Sequence, residues 1–243
     1  IIGPLSQTAV NTLNQSSSLP VPIIALNQLP NNTPAQDNLY QFSLSAENET
    51  AQIVNKAHLD QHQNVLIIAP NTSWGQKIAH QLSTEWMQAG GSVIKQMNYN
   101  YTHSLSYDIR HLLNLDHSYL RQKKLSQLLH KKLRMTPRRR QDFDAIFLIA
   151  NTAYAKQIRP LLKFYYAGSV PIYALSNLYK GNLNQRRDQD LNGITFCDQP
   201  WVLNSKLTPP RLDTIRKTVK KTWAHLFLQY PRLFALGVDS FNI

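Results

Sequence analysis

Only one cysteine, Cys197, occurs in 243 residues, so an intrachain disulfide and a cysteine metal cluster are both excluded. Long apolar runs are also missing. The longest, residues 65–69 and 145–150, fall far short of a bilayer span. There is no phosphate-cradling glycine loop, dinucleotide fingerprint, Gly-x-Ser-x-Gly elbow or His-Glu-x-x-His pair. His58 and His62 stand four apart on an expected helix, but no third ligand matches them, so the pair reads as surface histidines. The chain is therefore expected to hold no catalytic centre, no metal and no cofactor. A signal peptide is absent too. The chain starts at Ile1 without methionine, and "IIGPL" reads as the end of a strand already under way, so a piece of a longer protein is expected.

What the sequence has in excess is positive charge, and it has it in one place. Between Arg110 and Arg140 stand ten Lys/Arg against one acid, Asp116, a net +9 of the chain's +12. Such a stretch invites a polyanionic or acidic partner. No zinc finger, helix-turn-helix pattern or aromatic interleaving accompanies it, so nucleic acid is not the expected partner. Leu125, Leu128, Leu129 and Leu133 recur at helical spacing, which predicts an amphipathic helix with its leucines on the protein body and its cations outward. The candidate partner-binding residues are Lys123, Lys124, Lys131, Lys132, Arg138, Arg139 and Arg140.

Around this stretch the pattern alternates. Apolar runs at residues 21–26, 64–70, 92–94, 144–150, 170–175 and 193–197 are separated by amphipathic helical stretches, and "YQFSL" adds a strand with one buried face. Ser45 followed by Glu47 and Glu49 opens a helix. A second helix over about residues 76–88 puts Ile78, Ala79, Leu82 and Trp86 on one face. Continuous apolar strands between helices predict an α/β protein with parallel sheets covered on both faces. In such sheets ligands sit beyond the carboxyl ends of the strands. Those ends carry Asn27, Gln28, Asn71, Thr72, Ser73, Trp74, Asn151, Thr152, Ser176, Asn177, Asp198 and Trp201, the side chains a small-molecule cleft needs. The same residue types also cap the helices that follow strands. Both readings stand at this level.

Several stretches taken in order carry a resemblance: "IIGPL", "PIIALNQL", "NLYQFSLSAENETAQIV", "VLIIAPNTSWGQKIAHQLSTEWMQAGG", "MTPRRRQDFDAIFLIAN", "VPIYALSNLY", "GITFCDQPWVL" and "LFALGVDSF". Together they resemble the C-terminal domain of the LppC-type outer-membrane lipoproteins, the LpoA family. The resemblance implies a two-lobed fold like that of type I periplasmic binding proteins, without the family's first strand and helix. It places residues 1–46 in lobe 1, 47–220 in lobe 2 with a basic helical insertion at about 105–141, and 221–243 in lobe 1 again. It also implies a non-catalytic regulator that docks on the periplasmic part of a class A penicillin-binding protein and stimulates peptidoglycan synthesis. The parent lipoprotein would sit at the periplasmic face of the outer membrane, touching membrane only through its lipid anchor, while this piece would be soluble. On that basis the basic residues face an acidic patch of the partner, or peptidoglycan or another anionic wall polymer. Two alternatives remain open: a receptor for wall fragments in the inter-lobe cleft, and a polyanion binder.

Overall fold

In the computed structural model, residues 1–243 are described except 31, 32, 101, 103, 182, 183, 185, 204–208 and 243. The chain divides into two compact units, Ile1–Ala46 with Asp198–Ile243, and Glu47–Cys197. The first crossing falls between residues 46 and 47. The second falls after Cys197, earlier than the expected return at residue 221.

The discontinuous unit opens with α1 (Gln7–Asn14), which the sequence reading did not anticipate, and continues through β1 (Ile23–Ala25) and β2 (Leu39–Gln41). The two strands pair in parallel, Ile23 against Leu39, and Ile2 adds a parallel bridge to Ile24. Val10, Leu19, Ile23, Ala25, Leu29 and Leu39 form the buried cluster beneath them.

The continuous unit begins with α2 (Ala46–Leu59), whose first residue belongs to the other unit, then β3 (Asn64–Pro70), α3 (Ser73–Gln88) and β4 (Ser92–Tyr99). There follow α4 (Leu105–Leu112), α5 (Leu115–Leu128), β5 (Ala145–Leu148), α6 (Thr152–Phe164), β6 (Ile172–Ala174) and β7 (Ile194–Phe196). Its five strands form one parallel sheet in the order β4-β3-β5-β6-β7. Parallel neighbours need crossovers, and the helices that supply them cover both faces, which is why β3 and β5 read as unbroken apolar runs. Leu66, Ile68, Ile146, Leu148 and Ile172 pack with Ile109, Leu112, Ile158 and Leu162 of α4 and α6. On β5, Phe147 instead meets the fully buried Trp86 of α3 edge-to-face, with ring centroids 5.3 Å apart. As expected from the sequence, α3 buries Ile78, Ala79, Leu82 and Trp86.

Past Asp198 the described elements are helices. The chain runs through α7 (Pro200–Leu203), α8 (Pro210–Thr222), α9 (Ala224–Gln229) and α10 (Pro231–Asn242) of the discontinuous unit. The Arg232 guanidinium grips the buried Asp198 carboxylate with two bonds, Nε to Oδ1 at 3.0 Å and Nη2 to Oδ2 at 2.6 Å. Among the described residues no helix is long and apolar enough to cross a membrane.

Candidate functional site: the basic arm

The chain between β4 and β5 contains a core helix and an arm. The core part is α4 with the turn behind it. Leu105, Ile109, Leu112, Leu113 and Leu115 are buried in the main cluster of their unit. Of the basic helical insertion expected at about 105–141, the first third is therefore part of the core: the spacing of Leu105, Ile109 and Leu112 is that of a helix docked on a sheet. Asn114, in the left-handed region at φ 59°, separates α4 from α5.

In α5 the apolar and polar faces are reversed from the sequence expectation. Leu125, Leu128 and Leu129 do not pack on the body; they are 46%, 76% and 56% exposed, and Leu133 is only half-buried. The inward stripe is polar instead. The Ser118 hydroxyl accepts the Arg138 amide at 3.0 Å, the Gln122 carboxamide donates to the Leu133 carbonyl at 2.8 Å, and the Ser126 hydroxyl accepts the Leu133 amide at 3.3 Å. Residues 133–138 thus run back along α5, held by side chains spaced four apart. The returning backbone has no regular ladder to satisfy its donors and acceptors, and these three side chains supply part of what it needs. The reason for the reversal is physical. Periodicity shows which residues share a face, but not which neighbour that face meets. A polar stripe Ser118–Gln122–Ser126 was the available signal.

The seven candidate cations separate into two groups. Lys123, Lys124, Lys131, Lys132 and Arg138 are exposed, and among the described residues none of their side chains forms an ion pair. Arg139 and Arg140 are anchors. Arg139 lies 4.9 Å over the Phe143 ring, and its Nε donates to the Tyr166 carbonyl at 2.9 Å; burial pushes its guanidinium below the usual value. Arg140 clasps Asp142 with two parallel bonds of 2.7 and 2.8 Å, while its amide donates to the Leu113 carbonyl at 2.9 Å. The same fork raises the Arg140 guanidinium pKa and holds the Asp142 carboxyl below the usual carboxylate range. The nearest acid on the arm, Asp116, lies 2.7 Å from Arg110 and 3.6 Å from His111, which leaves the outer cations without it.

The residues proposed for a cleft fall in both units. In the continuous unit, Asn71, Thr72, Ser73, Trp74, Asn151, Thr152, Ser176 and Asn177 gather past the carboxyl ends of β3, β5 and β6, adjacent strands of one sheet. Most of them serve the local backbone. Thr72 caps α3 through the Gly75 amide, Asn151 caps α6 through the Tyr154 amide, and Thr152 donates to the Leu178 carbonyl at 2.6 Å. Asn71 accepts from Gln76 at 2.8 Å, and Ser176 is held by Glu49. Ser73 and Trp74 remain exposed, whereas the Asn177 Oδ1 is buried and lacks a hydrogen-bond partner among the described residues. In the discontinuous unit, Asn27 donates to the Leu5 carbonyl and accepts from the Gln28 amide, Asp198 is taken by Arg232, and Trp201 is buried. His58 and His62 belong to no cluster of metal-ligating side chains among the described residues.

The family described as "LppC putative lipoprotein" matches residues 1–243. The penicillin-binding protein activator LpoA of Photobacterium profundum is 28% identical across the whole chain, and that of Escherichia coli 23%. The chain spans only 39% and 37% of the lengths of these curated relatives. Among solved structures, the LpoA C-domain of Haemophilus influenzae, described as a regulator of PBP1A, superposes with a TM-score of 0.68 at 22% identity. That superposition covers 98% of this chain and 65% of that one. An ABC transporter substrate-binding protein from Desulfitobacterium hafniense matches with a TM-score of 0.55 at 14% identity, over 92% of this chain and 57% of that one, a likeness of fold alone. Matched from its first residue to its last, the chain belongs to the LppC lipoprotein family.

Proposed function

We propose that this chain is the part of an LppC-family lipoprotein that docks on a class A penicillin-binding protein and activates it in peptidoglycan synthesis, from the periplasmic face of the outer membrane. The observation that carries the reading is the match along the full chain to relatives named as activators of a penicillin-binding protein. In this reading the chain regulates rather than catalyses. The exposed cations Lys123, Lys124, Lys131, Lys132 and Arg138 supply the docking charge, and they favour an acidic protein surface or an anionic wall polymer.

Calorimetric titration of this chain with the periplasmic part of its own organism's class A penicillin-binding protein tests the reading. Saturable one-to-one binding is expected. Reversing Lys123, Lys124, Lys131 and Lys132 to Glu should weaken it by about tenfold or more and flatten its salt dependence. Absence of binding would count against the docking reading. Binding unaltered by the reversal would count against the arm as the surface.

A further inference from the structure

The outer face of α5 has an order of its own. His117, Arg121 and Lys124 follow one line along the helix, and Leu128 continues it. At 3.6 residues per turn, Leu120 and Leu125 fall about 70° to either side of that line. All six side chains are exposed, Leu120 by 55%, Leu125 by 46% and Leu128 by 76%. The inner seam through Ser118, Gln122 and Ser126 is already occupied by the return segment, whereas this face is open. No Asp or Glu occurs from residue 117 to residue 141 to neutralise it from within.

We infer that this face receives an acidic amphipathic segment of a partner protein, with carboxylates on a central line and apolar side chains on both shoulders. A helix lying on a lipid surface needs the opposite order, leucines deepest and cations at the flanks, where they can reach headgroups. Here the cations are central. Seated against carboxylates between Leu120 and Leu125, they would be paired and shielded from water together, an arrangement in which close charge pairs across an interface can add affinity. The face spans eleven residue steps, about 17 Å, so the occupant is a helical segment of about three turns. The identity of the partner rests on the docking reading above; the chemistry of the face does not.

The test titrates three forms of this chain: unaltered, Leu120→Ser with Leu125→Ser, and Arg121→Glu with Lys124→Glu. Each meets the periplasmic part of the class A penicillin-binding protein and, separately, a synthetic helical peptide carrying a Glu line between two Leu ridges. All four positions are exposed, so an unshifted thermal midpoint serves as the folding control. Both double variants should lose affinity for both probes by about tenfold or more, and a peptide with Gln in place of Glu should bind the unaltered chain as weakly. If the unaltered chain binds the penicillin-binding protein and neither variant changes that affinity, the inference is overturned while the docking reading stands. If that protein is not bound but the peptide is, with loss in both variants, the docking reading fails and the face keeps its assignment. Loss in the charge variant alone, or uptake by phosphatidylglycerol vesicles without peptide binding, overturns the inference.

Discussion

The carboxylate of Glu49 holds Ser176 at two points, accepting its backbone amide at 2.9 Å and its hydroxyl at 2.7 Å. The pair joins the first turn of α2 to the turn after β6 across 127 residues of sequence. Bonds to a charged acceptor are stronger than neutral ones, and Ser176 is buried. Glu49→Ala should therefore lower stability by about 1–3 kcal/mol, read as a lower urea midpoint at unchanged slope. An unchanged midpoint would show that the turn after β6 is held without Glu49.

A second prediction concerns the seam of the arm. Ser118 is 1% exposed and accepts the Arg138 amide. Ser118→Ala should cost about 1 kcal/mol. Its effect should be local, with faster hydrogen exchange at the Arg138 and Leu133 amides and unchanged protection in β3 and β5. Equal acceleration in the sheet would mean that the arm and the core open as one unit.

The third prediction is a pH dependence. Hydrogen bonding to Arg140 lowers the pKa of Asp142 in the folded chain. A carboxyl depressed by folding stabilises the fold above its unfolded value, about 3.9, and that share is lost as pH falls through the folded value. The Asp142 side chain is 54% exposed, so solvent screening keeps the contribution within about 1 kcal/mol. Wild type should exceed Asp142→Asn in stability at neutral pH, and the gap should close on acidification below about pH 4. Urea midpoints for the two proteins across that range provide the check; a gap independent of pH would rule the fork out as its source.

The sheet was legible in the sequence. Runs such as "NVLIIAP" and "AIFLIA" are stable only where both faces are covered, and they became β3 and β5 in its interior. The strand that Ser92-Val93-Ile94 begins runs on as β4: past Ile94 it alternates Lys95, Gln96, Met97 and Asn98, the pattern of an edge strand with one wet face. α1 escapes a reading for apolar runs because "QTAVNTLN" is only eight residues long and buries only Val10. The arm was misread at its leucines because nothing in a linear pattern says that a polar return segment will take the inner side. Arg139 and Arg140 looked like their neighbours in "RRR". Only the positions of Phe143, Tyr166 and Asp142 turn them into anchors.

β3 holds both ends of the stretch that contains the arm. It pairs with β4 on one side and β5 on the other, and Asp144 accepts the Gln63 and Asn64 amides beside it. Length added between two such fixed points is nearly free, since each doubling of a flexible loop costs only about 0.6 kcal/mol. The bend at residues 129–132 can therefore be lengthened or shortened while the sheet remains as it is. The arm is in effect a branch whose length the sheet does not dictate: residues added at the bend change its reach and leave the core that carries it unaltered.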